Sequence, residues 1–439
     1  MLGRAGFGGS PEEAKALYAQ GMDRAVDSLL DAPDESDIFP PPAASTPQNL
    51  AELRAKLVGK PEPEKKALQA EKLREGRQMM ADLRTWWLNR MRWSPFPARE
   101  KATLFWHGHW ATSVEKVKDP FAMWQQNETL RAHALGGFEA MAGEISRDPA
   151  MMRYLDLAQS KREKPNENFA RELMELFTLG EGHYSEEDIR EAARAFTGYR
   201  INPVNQQFVF AGRQHDDGGK IFFGFEGNLS GGDIVGFLAA DPQCARFLGR
   251  KLWAFYASEN PSPQLVEALA ETYRREHMDA RRLLRTVFRS HEFYGPDVVR
   301  QQIKSPVQWL VQACKELEIP LPRESDGILR QLGQTLFAPP NVKGWDGGRA
   351  WISSATLLLR YNIAGRIVRG NGFDPDTILP PAADAKKACE AVGSRLFNCS
   401  MTGALRENFF AFLNDHPPGK NVRRDLIHLM MSTPDYQLT

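Results

Sequence analysis

Several groups of residues in this chain have the types and spacing that chemistry requires, and the richest lies in PNENFARELMELFTLGEG, residues 165–182. Glu167, Arg171 and Glu175 follow one another at i, i+4 and i+8 on one helical face, the arrangement of an ordinary ladder of surface ion pairs. Glu172 is displaced from them: at about 100° per residue it falls beside Leu176 on the flank of the apolar stripe. A carboxylate held there must find a cation, a donor or a metal, or stay protonated, because burying an unpaired charge costs roughly several kcal/mol. Glu172 is therefore expected to be more buried than Glu175. It is the candidate catalytic carboxylate of this helix, with Glu167, Asn168 and Arg171 as binding groups around it.

His107 and His109 stand two apart in TLFWHGHWATS. Side chains at i and i+2 share a face only where the backbone is extended, which Gly108 permits. Two imidazoles on one side would be half of a metal site; the ordinary alternative is a pair of histidines bonding to backbone around a helix end. A further cluster is His215, Asp216 and Lys220 on the turn RQHDDGG, where loops commonly carry function, although Asp216 and Asp217 are also ordinary turn formers. Trp345, beside Gly344 in the proline-fixed loop PPNVKGW, is an aromatic that walls a pocket or simply a buried ring. No GxSxG, Walker A or post-strand GxGxxG is present, so the common nucleophile and nucleotide signatures are absent.

The elements that must position these groups read as helices. Pro165 biases Lys164 away from helix, Asn166 or Asn168 caps the exposed amides, and Gly180 or Gly182 supplies the left-handed stop. Phe169, Leu173, Leu176 and Phe177 recur at helical spacing and are expected to be buried. Ser10, Pro11 and Glu13 open a helix with a capping box. The proline-rich stretch 33–47 is a surface excursion, and helices resume near Gln48. Leu83, Trp86, Trp87 and Met91 mark a heavily buried helix that stops before Pro95, and the next helix runs toward the two histidines. Only Gln207–Phe210 and Lys220–Phe223 are β-prone, read as a hairpin around the Asp/Gly turn. The fold class expected is mainly α: a large multi-helix assembly with one short inserted β-hairpin. Its organisation is a helical half over 1–200, a hairpin insertion over 201–226 and a second helical half over 227–439. One internal echo joins ARRLLRTVFRSHEFY, from Ala280, to VRRDLIHLMMSTPDY, from Val422, as two similar helix endings.

A chain of 439 residues with 42% hydrophobic content can bury a large core. Lys and Arg together equal Asp and Glu at 56 each, so no global field favours nucleic acid or an anionic membrane. No run approaches the ~18 apolar residues of a membrane span, and the first residues lack the apolar stretch of a signal peptide. Cys244, Cys314, Cys389 and Cys399 lack zinc-knuckle spacing, while Cys389 and Cys399 could bridge a local loop in an oxidising compartment.

Five motifs, in this order, together resemble a bacterial family known as domain of unknown function 1800: LGRAGFG, FWHGHWATS, NENFARELMELFTLGEGHYSEEDIREAARAFTG, HDDGGKIFFG and LGQTLFAPPNVKGWDGGRAWI. The resemblance covers most of the chain. It implies a mostly helical protein, often exported and often encoded beside a second uncharacterised family similar to sulfatases and phosphatases, and it carries no activity with it. This sequence begins almost inside the opening motif, which leaves the compartment open. Two functions of different class follow from the residues. In one, HGH, the Glu172 helix and the His215/Asp216 turn converge on a divalent metal and hydrolyse a polar or polymeric substrate. In the other, the protein is a non-catalytic partner or assembly factor, and the same groups form a buried polar network that fixes helix packing.

Overall fold

Short polar side chains set where the helices begin. Ser10, Ser185, Ser230 and Ser353 each accept from the backbone N–H three residues on, and each third residue bonds back to the serine's own N–H. The computed structural model describes residues 1–31, 38–47, 55, 57–379, 384–397, 401, 403–416 and 419–439. It is 65% helical, and the strands among the described residues form two small antiparallel two-stranded sheets. The chain is thus mainly α, as expected. No helix among the described residues is long and apolar enough to cross a membrane. The residues near Gln48, those at Pro380, part of the 33–47 excursion and Cys399 lie outside the described residues, and so does a Cys389–Cys399 bridge. Cys244, Cys314 and Cys389 are buried thiols.

Within the insertion the pairing differs from a single hairpin. β1 (Tyr199–Ile201) pairs with β2 (Phe208–Phe210), and β3 (Lys220–Phe222) pairs with β4 (Phe225–Gly227). The two runs expected to face one another therefore each take a nearer partner. The segment between them is no tight turn: it forms a 3-10 turn at Gly212–Gln214 and then an extended stretch anchored on Thr197. Phe223 and Gly224, at φ +50 and +80, are the two left-handed residues of the turn that closes β3 on β4.

The helix in residues 165–182 starts where the sequence indicates, with Asn166 accepting from the Asn168 N–H. It is α-helical only over Glu167–Glu172 and continues as a π-helical turn over Leu173–Thr178. Phe169, Leu173 and Phe177 are buried, but Leu176 is only partly so, and Met174 and Thr178 go inward instead. The wider turn advances each residue by a smaller angle than an α-helix, so the inward face slips by a position. The Thr178 hydroxyl, donating to the Leu173 carbonyl at 2.6 Å, holds that geometry.

Two apolar cores hold the helices together. One runs from Ala5 and Val26 through Trp106, Phe177 and Leu252 to Phe293 and Val298. The other joins Phe7, Leu83 and Trp87 to Trp309, Ile363, Leu426 and Tyr436. The Pro97–His109 helix contributes to both, with Trp106 in the first and Leu104 in the second. That sharing places HGH where the two cores meet. The echoed segments match in structure as well: Ala280–Arg289 and Lys420–Met431 are helices, each followed by a short 3-10 turn containing the shared tyrosine.

Candidate functional site

The helix that begins at Pro97 runs unbroken through Gly108 to His109. Residues two apart on an α-helix point to nearly opposite sides, so His107 and His109 do not share a face. His107 turns toward Trp87, Phe337 and Trp345, and its Nε2 accepts from the Phe337 N–H at 3.0 Å. His109 turns toward Phe177 and Phe247, and its Nε2 donates to the Phe177 carbonyl at 3.0 Å. The expectation of two imidazoles on one metal therefore fails, because Gly108 sits in helix where an extended backbone was needed. Among the described residues no group of three or more His, Cys, Asp or Glu side chains is placed to hold a metal ion.

The remaining predicted residues fall into two separate clusters. Arg171 grips Glu186 through both terminal nitrogens at 2.8 and 2.9 Å and reaches Glu167 at 3.5 Å. Asn168 donates to the Leu155 carbonyl at 3.3 Å. Glu172 and Glu175 are both partly buried. Glu175 accepts from the Tyr184 hydroxyl at 2.6 Å, whereas Glu172 takes no hydrogen bond among the described residues and burial, with Glu175 nearby, pushes its carboxyl up. In the insertion, His215 Nδ1 donates to the Thr197 carbonyl at 2.9 Å. Asp216 is held by Arg194 at 2.8 and 3.3 Å, and that pairing brings its carboxyl down to about 2. Lys220 is buried and donates to the Asp216 carbonyl, the Gly218 carbonyl and Asn228 Oδ1 at 2.7, 3.1 and 3.2 Å. No hydrogen bond, ion pair or ring contact among the described residues joins HGH to Glu167, Glu172, His215 or Asp216. HGH does meet the π-helical turn, but through the backbone carbonyl and the ring of Phe177.

What gathers around His109 instead is a cavity of about 470 Å³, bounded by HGH, the C-terminal half of the Pro242–Tyr256 helix and the KGWDGG loop. Gly344 fixes that loop: its φ is +86, and a Cβ there would lie 2.3 Å from the Gly108 carbonyl oxygen. Only glycine fits such a position. The next residue, Trp345, lines the cavity together with Trp351, Lys251 and Gln302. A larger groove of about 690 Å³ lies against Gly180 and Phe247. Its Arg246 is already paired with Glu267 at 2.7 Å, so the chemistry is richer in the first cavity.

Two residues that line the cavity, His109 and Gln302, each carry a buried acceptor, Nδ1 and Oε1, with no hydrogen-bond partner among the described residues. With Nε2 carrying the proton to Phe177, Nδ1 of His109 must hold a free lone pair. Burial, with the charge of Lys251 nearby, pushes the His109 imidazole well below its usual range, so it stays neutral. Lys251 is also brought down, to about 8, by burial and by the charge of Lys343. A neutral imidazole beside an amine of lowered basicity, in a recess walled by two indoles, can accept a hydrogen bond from a bound hydroxyl or water and orient its polar groups.

Lys251 and Gln302 carried no signal in the motifs. Lys251 nevertheless sits between Leu248, Leu252 and Phe255 on the apolar side of its helix, the same flank position that singled out Glu172. Gln302 lies in a segment with no helical or strand period. Comparison with curated proteins and with solved structures returned no match. A family model described as protein of unknown function (DUF1800) matches residues 1–438, and the chain belongs to that family.

Proposed function

We propose that the cavity beside His109 binds a small hydroxyl-bearing molecule or the end of a polar chain, and that His109 is the hydrogen-bond acceptor that orients it. The observation that carries this reading is that two residues lining one cavity, His109 and Gln302, each carry a buried acceptor, Nδ1 and Oε1, with no partner among the described residues. A buried acceptor left without a donor costs roughly 1–3 kcal/mol, which a hydroxyl-bearing ligand removes. Trp345 and Trp351 supply flat apolar faces for the carbon skeleton of such a ligand. For the hydrolysis expected from the sequence, His109 would orient a water or a ligand hydroxyl by accepting its hydrogen bond; an imidazole pushed well below its usual range is a weak base.

The other clusters support the structural reading. Glu167, Arg171 and Glu186 form one ion-paired set, and Arg194, Asp216 and Lys220 form another, in which Arg194 compensates the Asp216 carboxylate. The test is protein labelled with 5-fluorotryptophan, with the Trp345 and Trp351 fluorine resonances assigned through Trp345→Phe and Trp351→Phe. Glucose and short gluco-oligosaccharides are expected to move those two resonances and leave the Trp253 and Trp309 signals in place. His109→Phe should abolish the shift. Sugar-dependent shifts that survive intact in His109→Phe would mean that the imidazole takes no part.

A further inference from the structure

Two partly or fully buried lysines in this molecule have opposite surroundings. Lys220 spends its ammonium protons on three acceptors at 2.7, 3.1 and 3.2 Å. Lys251 has one long contact, to the Leu176 carbonyl at 3.4 Å, and the face of Phe247 at 5.0 Å. No carboxylate pairs with it among the described residues. The charged groups that share its cavity are Lys343, Asp346 and Glu259, all exposed at the mouth. Lys343 and Asp346 face each other at 3.7 Å, while Glu259 lies against the backbone at Gly348, where a Cβ would meet its carboxylate at 1.8 Å. Lys251 thus lines the cavity as an ammonium with unused donors and no paired carboxylate among the described residues, beside two residues whose buried acceptors also lack partners there.

We infer that the ligand of this cavity carries an oxyanion, a carboxylate or a phosphate or sulfate ester, which Lys251 receives while the ligand's hydroxyls reach His109 and Gln302. This inference rests on the cavity reading proposed above and adds the charge of the ligand to it. An ammonium with free donors binds a compact oxyanion through charge-assisted hydrogen bonds, which are shorter and stronger than neutral ones. Among the exposed lining groups Lys343 is offset by Asp346 and Glu259, so the attraction for the anion comes from Lys251 itself. Burial lowers Lys251 to about 8, so the bound anion should also draw a proton onto the amine near that pH.

The experiment uses the full chain labelled with 5-fluorotryptophan and follows Trp345 and Trp351 while glucose, glucuronate, glucose 6-phosphate, acetate and inorganic phosphate are added in turn. Glucuronate or glucose 6-phosphate is expected to reach half-shift at a concentration roughly tenfold below that of glucose, the scale of one charge-assisted hydrogen bond in affinity. Lys251→Gln should collapse that ratio to below about threefold, and in the parent protein the ratio should shrink as pH rises through about 8, where Lys251 loses its proton. Inorganic phosphate or acetate acting at the same concentrations as the sugar anions would support the oxyanion seat and identify a free anion as its occupant. A ratio near one, or a ratio that persists in Lys251→Gln, overturns the inference. Glucose shifts without any anion preference leave the cavity reading standing while this inference fails, and no shift with any of the five probes removes both.

Discussion

Lys220 and Lys251 show how one side-chain type can serve structure at one position and lower stability at another. At Lys220 every ammonium proton has an acceptor, so Lys220→Met should strand two backbone carbonyls and the Asn228 amide oxygen. A loss of roughly 2 kcal/mol in urea unfolding is expected, since each stranded buried acceptor costs about 1–3 kcal/mol less whatever water restores. Lys251→Met should have the opposite sign. Its amine is brought down to about 8 in the folded chain from an ordinary 10.5, so between these values the unfolded chain holds the extra proton. Stability from this site therefore rises with pH across that window, and below about pH 8 the site is destabilising by a constant amount. Removing the amine should raise stability at pH 7 by on the order of 2 kcal/mol, discounted for partial exposure, and that gain should vanish above about pH 10. Equal losses for both variants at pH 7 would remove the distinction between a satisfied and an unsatisfied lysine. A residue kept at a cost to stability, on a cavity wall, is what a binding role accounts for.

At the scale of elements, the helix bearing HGH is held by a buried carboxylate that the motifs did not single out. Glu100, 1% exposed, accepts from Arg90 at 3.0 Å, from Arg131 at 2.7 and 3.1 Å and from the Trp87 indole at 2.8 Å. It ties together the helices Glu62–Trp93, Pro97–His109 and Pro120–His133. Burial alone would push this carboxyl up, but Arg131 and Arg90 outweigh it and hold it below its usual value. Glu100→Ala should lower stability by roughly 3–5 kcal/mol, the loss known for one partner of a buried ion set. Its stabilising effect is present at neutral pH and is lost as pH falls through the lowered value. The KGWDGG loop depends on Gly344 in a different way. Gly344→Ala combines a left-handed φ with overlap on the Gly108 carbonyl, so a loss of roughly 2–4 kcal/mol and a displaced Trp345 fluorine resonance are expected.

These elements also mark where the sequence stops being informative. Helix starts were legible because Ser, Asn and Pro act within three residues. The inward face of the 167–178 helix was legible up to Leu173 and then slipped, because a π-helical turn leaves no mark in an apolar period. The strands of the insertion were placed, but their partners were not: pairing depends on Thr197 anchoring His215 and Asp216, a contact 18 and 19 residues back along the chain. HGH was read as extended or helical on the strength of one glycine. The structure resolves it through Gly344, more than 200 residues downstream, which packs on the Gly108 carbonyl of an unbroken helix.

At the scale of the molecule, both apolar cores draw on chain from either side of the 201–226 insertion. The polar contacts do the same. Arg285 and Arg289 bind Asp27 at 2.9 and 2.8 Å, Arg4 donates to the Phe293 carbonyl at 2.6 Å, and Gln308 donates to the Gly3 carbonyl at 2.8 Å. Arg84, on the Glu62–Trp93 helix, donates to the Leu336 carbonyl at 2.9 Å. The cavity is assembled from the same separated stretches: His109 comes from the first helical half, Lys251 and Trp345 from the second. If the halves are energetically one unit, heating should give a single calorimetric transition, with the enthalpy from the shape of the curve equal to the enthalpy measured directly. Lys251→Met and Glu100→Ala, which act far apart in sequence, should then shift that one transition in opposite directions without splitting it. Two resolved transitions, with Glu100→Ala moving one and Lys251→Met the other, would show instead that the halves unfold separately and that the cavity lies on a seam between them.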